Sequence, residues 1–405
     1  MGLLDLVGPV KDGQDIGTIW IVQLTIIAFL IIIIIMSCVL LGRTLRSPAK
    51  STGWLDYDAL KMTRLPLTDL SGIDINKTPM NQFSVATANF GGIYTGQTGF
   101  WYPWSGLVDP DAVTLQVEAG ARAIVLDIWP DPDDPIHPVV CAMRDMQSSG
   151  VILRSWKNYF GLSPGVGRYS NWDNVTINKR PVGDILKAAI GAAFDPNSPQ
   201  QTDPFFVILR LHGAMKAAYL NNLGIIVQDQ LKGHRMTSDW DKCNNQASVC
   251  SANIGTLASS AFVIVIPDIQ KDMPITSYDD FKAALLASKL GEATNYLEQG
   301  ANTVLFDPTG ITQISAKNLT SPCGGASSQS LAQVGLCLVQ PTIGSSTDND
   351  TYYNGGNTFK NCVSSGAQFV AVNLFSPNKT DQSLTQFFDP AYFGKYSFRF
   401  SGPSS

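Results

Sequence analysis

Gly120-Ala121-Arg122-Ala123-Ile124-Val125-Leu126-Asp127-Ile128-Trp129, followed after a short gap by Pro138-Val139-Val140-Cys141-Ala142, is the stretch on which the fold turns. The run Ala123 to Ile128 is short, apolar and β-branched, as a buried strand requires, and it carries a single carboxylate near its C-terminal end. Working outward, similar runs recur at Phe83 to Ala88, Pro138 to Cys141, Phe205 to Leu211, Phe262 to Ile266, Thr303 to Phe306 and Phe369 to Leu374. Between them Ala, Leu and Lys replace the β-branched residues, and the pattern predicts helices at Asp111 to Glu118, Val182 to Phe194, Met215 to Leu231, Ser277 to Lys289 and Leu331 to Leu338. Strands alternating with helices call for a parallel sheet, and a closed (β/α) barrel is the economical architecture.

N-terminal to this pattern the chain changes character. Gly17 to Leu41 reads GTIWIVQLTIIAFLIIIIIMSCVLL, without a charged residue. At ~1.5 Å per residue it is long enough to cross the ~30 Å hydrocarbon core of a bilayer. Asp5, Lys11, Asp12 and Asp15 precede it, which does not suit a cleaved signal peptide. The expected organisation is therefore a short segment over residues 1–16, a transmembrane helix over 17–41, a juxtamembrane linker over 42–81 and a soluble domain over 82–405. Arg43, Arg46 and Lys50 after the helix, against Lys11 before it, put that domain on the cytosolic side. Sequons at Asn76, Asn174, Asn318, Asn349 and Asn378, and the pairs Cys243/Cys250 and Cys323/Cys337, argue instead for a lumenal or extracellular setting. Both orientations stay open, with the charge rule preferred.

The chain carries a net charge of −5 with no basic tract, so nucleic acid is excluded as a partner on electrostatic grounds. No C-x-x-C pair suggests a zinc site. Phe100-Trp101-Tyr102-Pro103-Trp104 reads equally as a membrane-interface dip or as a packed loop. Ser51 to Lys77 has no convincing period, and Ser345 to Thr358 reads as a surface loop.

Four pieces in order, SVATAN (84–89), GARAIVLDIW (120–129) with PVVCA (138–142), DPFFVILRLH (203–212) and GAQFVAVN (366–373), together resemble the X region of phosphoinositide-specific phospholipase C. The resemblance covers nearly everything after Gln82 and implies a distorted TIM-type (β/α) barrel with its site at the C-terminal strand ends. It also implies two catalytic histidines, because imidazole exchanges protons near neutral pH. Those positions fall on Ala88 and Ala142, and a methyl group moves no proton. A calcium site is implied too, for which Asn89 and Asp127 match while the remaining acidic positions fall on Val125 and His212; two oxygen-bearing side chains make an incomplete site. The phosphate-binding lysines have no counterpart in Phe262 to Pro267.

Strand alternation places Arg210 and His212 on one face, directed toward Asp127 if the resemblance holds. Asp127, His212 and Arg210 would then be the catalytic set of a rebuilt, metal-free phosphodiesterase, or else buried partners in a remodelled mouth. His137 and His234 read as loop residues. The expectation is a pseudoenzyme that binds or scaffolds without a cofactor. By analogy with barrels that large DNA viruses encode, its setting is a membrane or capsid–membrane layer, with membrane lipid and a capsid or other protein as partners.

Overall fold

The computed structural model describes residues 24–37, 64–95, 106–131, 133–141, 143–145, 172–174, 178–213, 215–236, 252–267, 277–297, 303–306, 338–341, 367–375 and 395–400, together with residues 176, 336, 363, 387, 389 and 393. The chain divides into two units, Met1–Gly53 and Trp54–Ser405. In the first, residues 24–37 are helical, and Leu24, Phe29, Ile34 and Met36 are all more than half exposed, at 60, 64, 60 and 58%. Among the described residues no helix is long and apolar enough to cross a membrane. The ends of the expected span, 17–23 and 38–41, lie outside the described residues, as do the 100–104 aromatics, Ala142, the four paired cysteines and the 345–358 loop.

The second unit is mixed α/β, built on a curled, parallel half-barrel sheet. Its parallel strands are β1 (Phe83–Ala88), β2 (Ala123–Pro130), β3 (Phe205–Leu211), β4 (Ala261–Pro267), β5 (Tyr296–Leu297), β6 (Thr303–Phe306), β7 (Leu338–Pro341) and β8 (Phe369–Val372). Their order across the sheet is β5-β4-β3-β2-β1-β8-β7-β6. Sequence neighbours are spatial neighbours, and β8 returns to lie parallel beside β1, from Val85↔Phe369 to Ala88↔Val372. That return is the step that turns an open sheet into a ring. Among the described residues nothing pairs β5 with β6, so the expected closed barrel is met as a half-barrel with one open seam.

Side-chain alternation sorts the core into two layers. Val85, Val125, Phe206, Ile208, Phe262, Ile264 and Phe369 face the concave side, where Leu67, Met80, Ile254 and Leu257 close the base. Ala86, Ile124, Leu126, Val207, Leu209 and Val263 face the other way, onto the helices α1 (Pro110–Glu118), α2 (Val182–Ala193), α3 (Ala217–Gln230), α4 (Tyr278–Leu286) and α5 (Lys289–Ala293). The α1 start follows from its residues: the Asp109 side chain caps the Asp111 amide, and Pro110 occupies a first-turn position where no N–H is needed.

Three expectations need correction. The helix predicted over Ser277 to Lys289 is two helices, because Ser288 accepts from the Gly291 amide and starts α5. Leu338, predicted to end a helix, begins β7, while most of 331–337 lies outside the described residues. The strand at Pro138–Val140 is no member of the parallel ring; it folds back antiparallel on the end of β2 and pairs also with Arg180–Pro181. Residues 64–81 of the expected linker lie on the base, where the Leu65 amide donates to Lys395 O and Leu67 is buried.

Candidate functional site

Polar side chains on the concave face gather at the C-terminal ends of β1, β2 and β3. Asp127 on β2 and Arg210 on β3 are direct cross-strand partners. The Asp127 carboxylate is fully buried, and its Oδ1 lies 2.8 Å from His212 Nε2 and 3.6 Å from Arg210 Nη1. The His212 ring stacks flat on Trp129, with centroids 4.3 Å apart and planes 6° from parallel. One carboxylate therefore orients an imidazole while a guanidinium stands beside it, and an indole fixes the ring plane. Asn89, just past β1, is 1% exposed.

The bonding of this group is incomplete. Asp127 Oδ2, Arg210 Nη1 and both Oδ1 and Nδ2 of Asn89 are buried without a hydrogen-bond partner. Buried polar groups are ordinarily satisfied, so these atoms at one end of the sheet make this group the candidate site. Two of these atoms accept and two donate, and the charges of Asp127 and Arg210 offset one another.

Ala88, assigned by resemblance to an acid/base position, packs fully buried in the helix-side layer, because it points opposite to Asn89. The other two histidines are elsewhere. His137 is exposed and bonds Asp134 in the loop after β2. His234 stacks on Phe194 at 4.0 Å, at the opposite end of the sheet where β4 begins. Sequence reading brought Asp127, Arg210, His212 and Asn89 to one place; it missed the Trp129 stack and Gln116, a buried α1 residue whose side chain bonds the turn after Asn89. A polar residue among the apolar Ala112, Val113 and Val117 of α1 was the signal for the latter.

The base carries a second polar group of a different kind. Arg122 is sandwiched by Phe194 and Phe205 and donates to the carbonyls of Ala193, Asp203 and Pro204. Burial pulls its pKa down to about 10. Asp203 accepts from the Leu67 amide and from Gln200, and burial raises its pKa to about 6 against the opposing pull of Arg122. Gly120, at φ +101°, leaves the space into which Arg64 packs: a Cβ there would sit 2.6 Å from Arg64 Nε.

No protein-family model and no curated protein matches the chain. Solved structures similar to it include PLC21 of S. officinalis, at 13% identity and a TM-score of 0.49 over 84% of this chain and 38% of that one. A calcium-dependent phosphoinositol-specific phospholipase C from Pseudomonas sp has 14% identity and a TM-score of 0.41, over 81% of this chain and 97% of that one. A Ca+2 dependent phosphatidylinositol-specific phospholipase C from Streptomyces antibioticus has 10% identity and a TM-score of 0.40, over 76% and 98%. The chain thus spans well under half the length of the first of these. Likeness of this degree carries no argument about activity, and the reading of the fold rests on strand order and register.

Proposed function

We propose that this chain is a membrane-anchored barrel protein that binds the hydroxylated headgroup of a membrane lipid at the C-terminal mouth of its sheet and does not cleave it. The observation that carries the proposal is the Asp127–His212 pair, with unpartnered atoms of Arg210 beside it and of Asn89 at the same end of the sheet. A hydroxyl donates one hydrogen bond and accepts two, so a headgroup with two or more hydroxyls can answer Asp127 Oδ2 and Asn89 Oδ1 as well as Arg210 Nη1 and Asn89 Nδ2. A bare phosphate only accepts, and it would face the Asp127 carboxylate.

Cleavage of a phosphodiester asks for one group to take a proton and another to give one. The chain has three histidines, and two lie on a solvent loop and at the base, which supports a mouth with a single imidazole. Calcium does not fit the donor set: Asn89 and Asp127 offer two side chains where six to eight oxygens are wanted, beside a guanidinium that repels a cation. The tether is the apolar helix at residues 24–37, extended by the uncharged sequence on both sides of it, with the domain on the cytosolic side. A capsid or other protein that meets the domain at the membrane surface completes the proposed setting.

The test is binding of glycerophosphoinositol, measured by calorimetry, to the full chain in nanodiscs, alongside an assay for inositol phosphate released from phosphatidylinositol in the same nanodiscs. Binding without turnover is the expected result. A second reading, an active phosphodiesterase using His212, Asp127 and Arg210, draws on the carboxylate-oriented imidazole; turnover that disappears in His212→Ala would establish it in place of the first.

A further inference from the structure

The turn that ends β1 combines two unfavourable features in adjacent residues. Phe90 is fully buried with φ at +53°, in the left-handed region that bulky side chains avoid. Asn89 before it buries a carboxamide with no partner for either polar atom. Strain of this kind persists only where the surroundings over-determine it.

Gln116 supplies that constraint. It is fully buried on the inner side of α1. Its Nε2 donates to the carbonyls of both Asn89 and Phe90 at 3.3 Å, and its Oε1 accepts from the Gly92 amide at 3.2 Å. Gly91 presses the same turn onto β2, where a Cβ would meet Leu126 Cδ2 at 2.5 Å and where its amide donates to Val125 O.

We infer that Gln116 is a positioning residue: its carboxamide clamps the 89–92 turn in the left-handed form that presents the Asn89 amide to a hydroxyl of the bound headgroup. The inference rests on the binding role proposed above. Asn89 then donates through Nδ2 and accepts through Oδ1, and Gln116 touches only backbone.

The experiment uses the full chain in nanodiscs and two substitutions, Gln116→Met, which keeps length and volume, and Gln116→Leu, which likewise removes both donor and acceptor from a buried apolar setting. Hydrogen exchange is measured at residues 89–92 and along β3, and binding of glycerophosphoinositol is measured by calorimetry. Leu223→Ala, a core change on α3 away from the mouth, controls for lost stability. The expected result is exchange about tenfold faster at 89–92 with β3 unchanged, and probe affinity about tenfold weaker, in both Gln116 variants but not in Leu223→Ala. Exchange that rises uniformly over the domain, or affinity that falls equally in Leu223→Ala, would overturn the inference. If the unsubstituted chain does not bind the probe, the headgroup reading fails by itself, while the exchange pattern still decides the clamp.

Discussion

The base and the mouth of the sheet both bury an arginine beside a carboxylate, yet they are finished differently. At the base Arg122 donates to three carbonyls between two aromatic rings, and Asp203 accepts from Leu67 and Gln200. At the mouth Arg210 and Asp127 stand 3.6 Å apart, and each keeps an atom without a hydrogen bond. A satisfied polar cluster holds elements together, whereas an unsatisfied one costs stability. The end where the strands begin is thus held by completed polar contacts, and the end where they finish is where the proposed ligand would bind.

The largest expected effect comes from breaking the base. Arg122→Met removes the guanidinium from its three carbonyls and leaves Asp203 buried without its counter-charge, which should cost about 3–5 kcal/mol of stability in chemical denaturation. A loss under 1 kcal/mol would show that the two ends are not so different.

Next is the pH dependence of Asp203. Its folded pKa, about 6, lies above the ordinary value of 3.8, so the native state holds the proton more tightly than the unfolded chain. Its contribution is therefore fully present below about pH 4 and is lost as pH rises through 6, amounting to at most about 3 kcal/mol. The melting temperature of the chain should fall relative to that of Asp203→Asn as pH rises from about 4 to 7 and run parallel to it above that window. Parallel curves from pH 4 to 7 would remove Asp203 as the source.

The smallest effect sharpens the contrast. Asn89→Ala deletes two unsatisfied polar atoms, so stability should hold or rise by up to about 1 kcal/mol while binding of glycerophosphoinositol falls. A large loss of stability would mean that Asn89 is structural, like the residues of the base.

Much of the fold was legible because β1 to β4 and β8 are runs of apolar, β-branched residues long enough to declare themselves. Tyr296–Leu297 is two residues long and carries no period, and Leu338–Pro341 sits at the end of a stretch whose Leu and Ala spacing mimics a helix. Strand alternation sufficed to put Arg210 and His212 on one face, so the Asp127 cluster could be anticipated. The same alternation sets Ala88 opposite Asn89, in the helix-side layer, although the resemblance names both as site positions.

By itself, then, the sequence determined the alternation of strands and helices, the long uncharged N-terminal run and the scarcity of histidine, all of which are properties of neighbours along the chain. Only the tertiary structure decided which groups at the mouth lack partners, that Phe90 is held at positive φ, and that Gln116 reaches back 27 residues to bond the Asn89 carbonyl. The reason is physical: whether a buried donor is satisfied depends on atoms brought within about 3 Å by packing, and that proximity has no local signature in the chain.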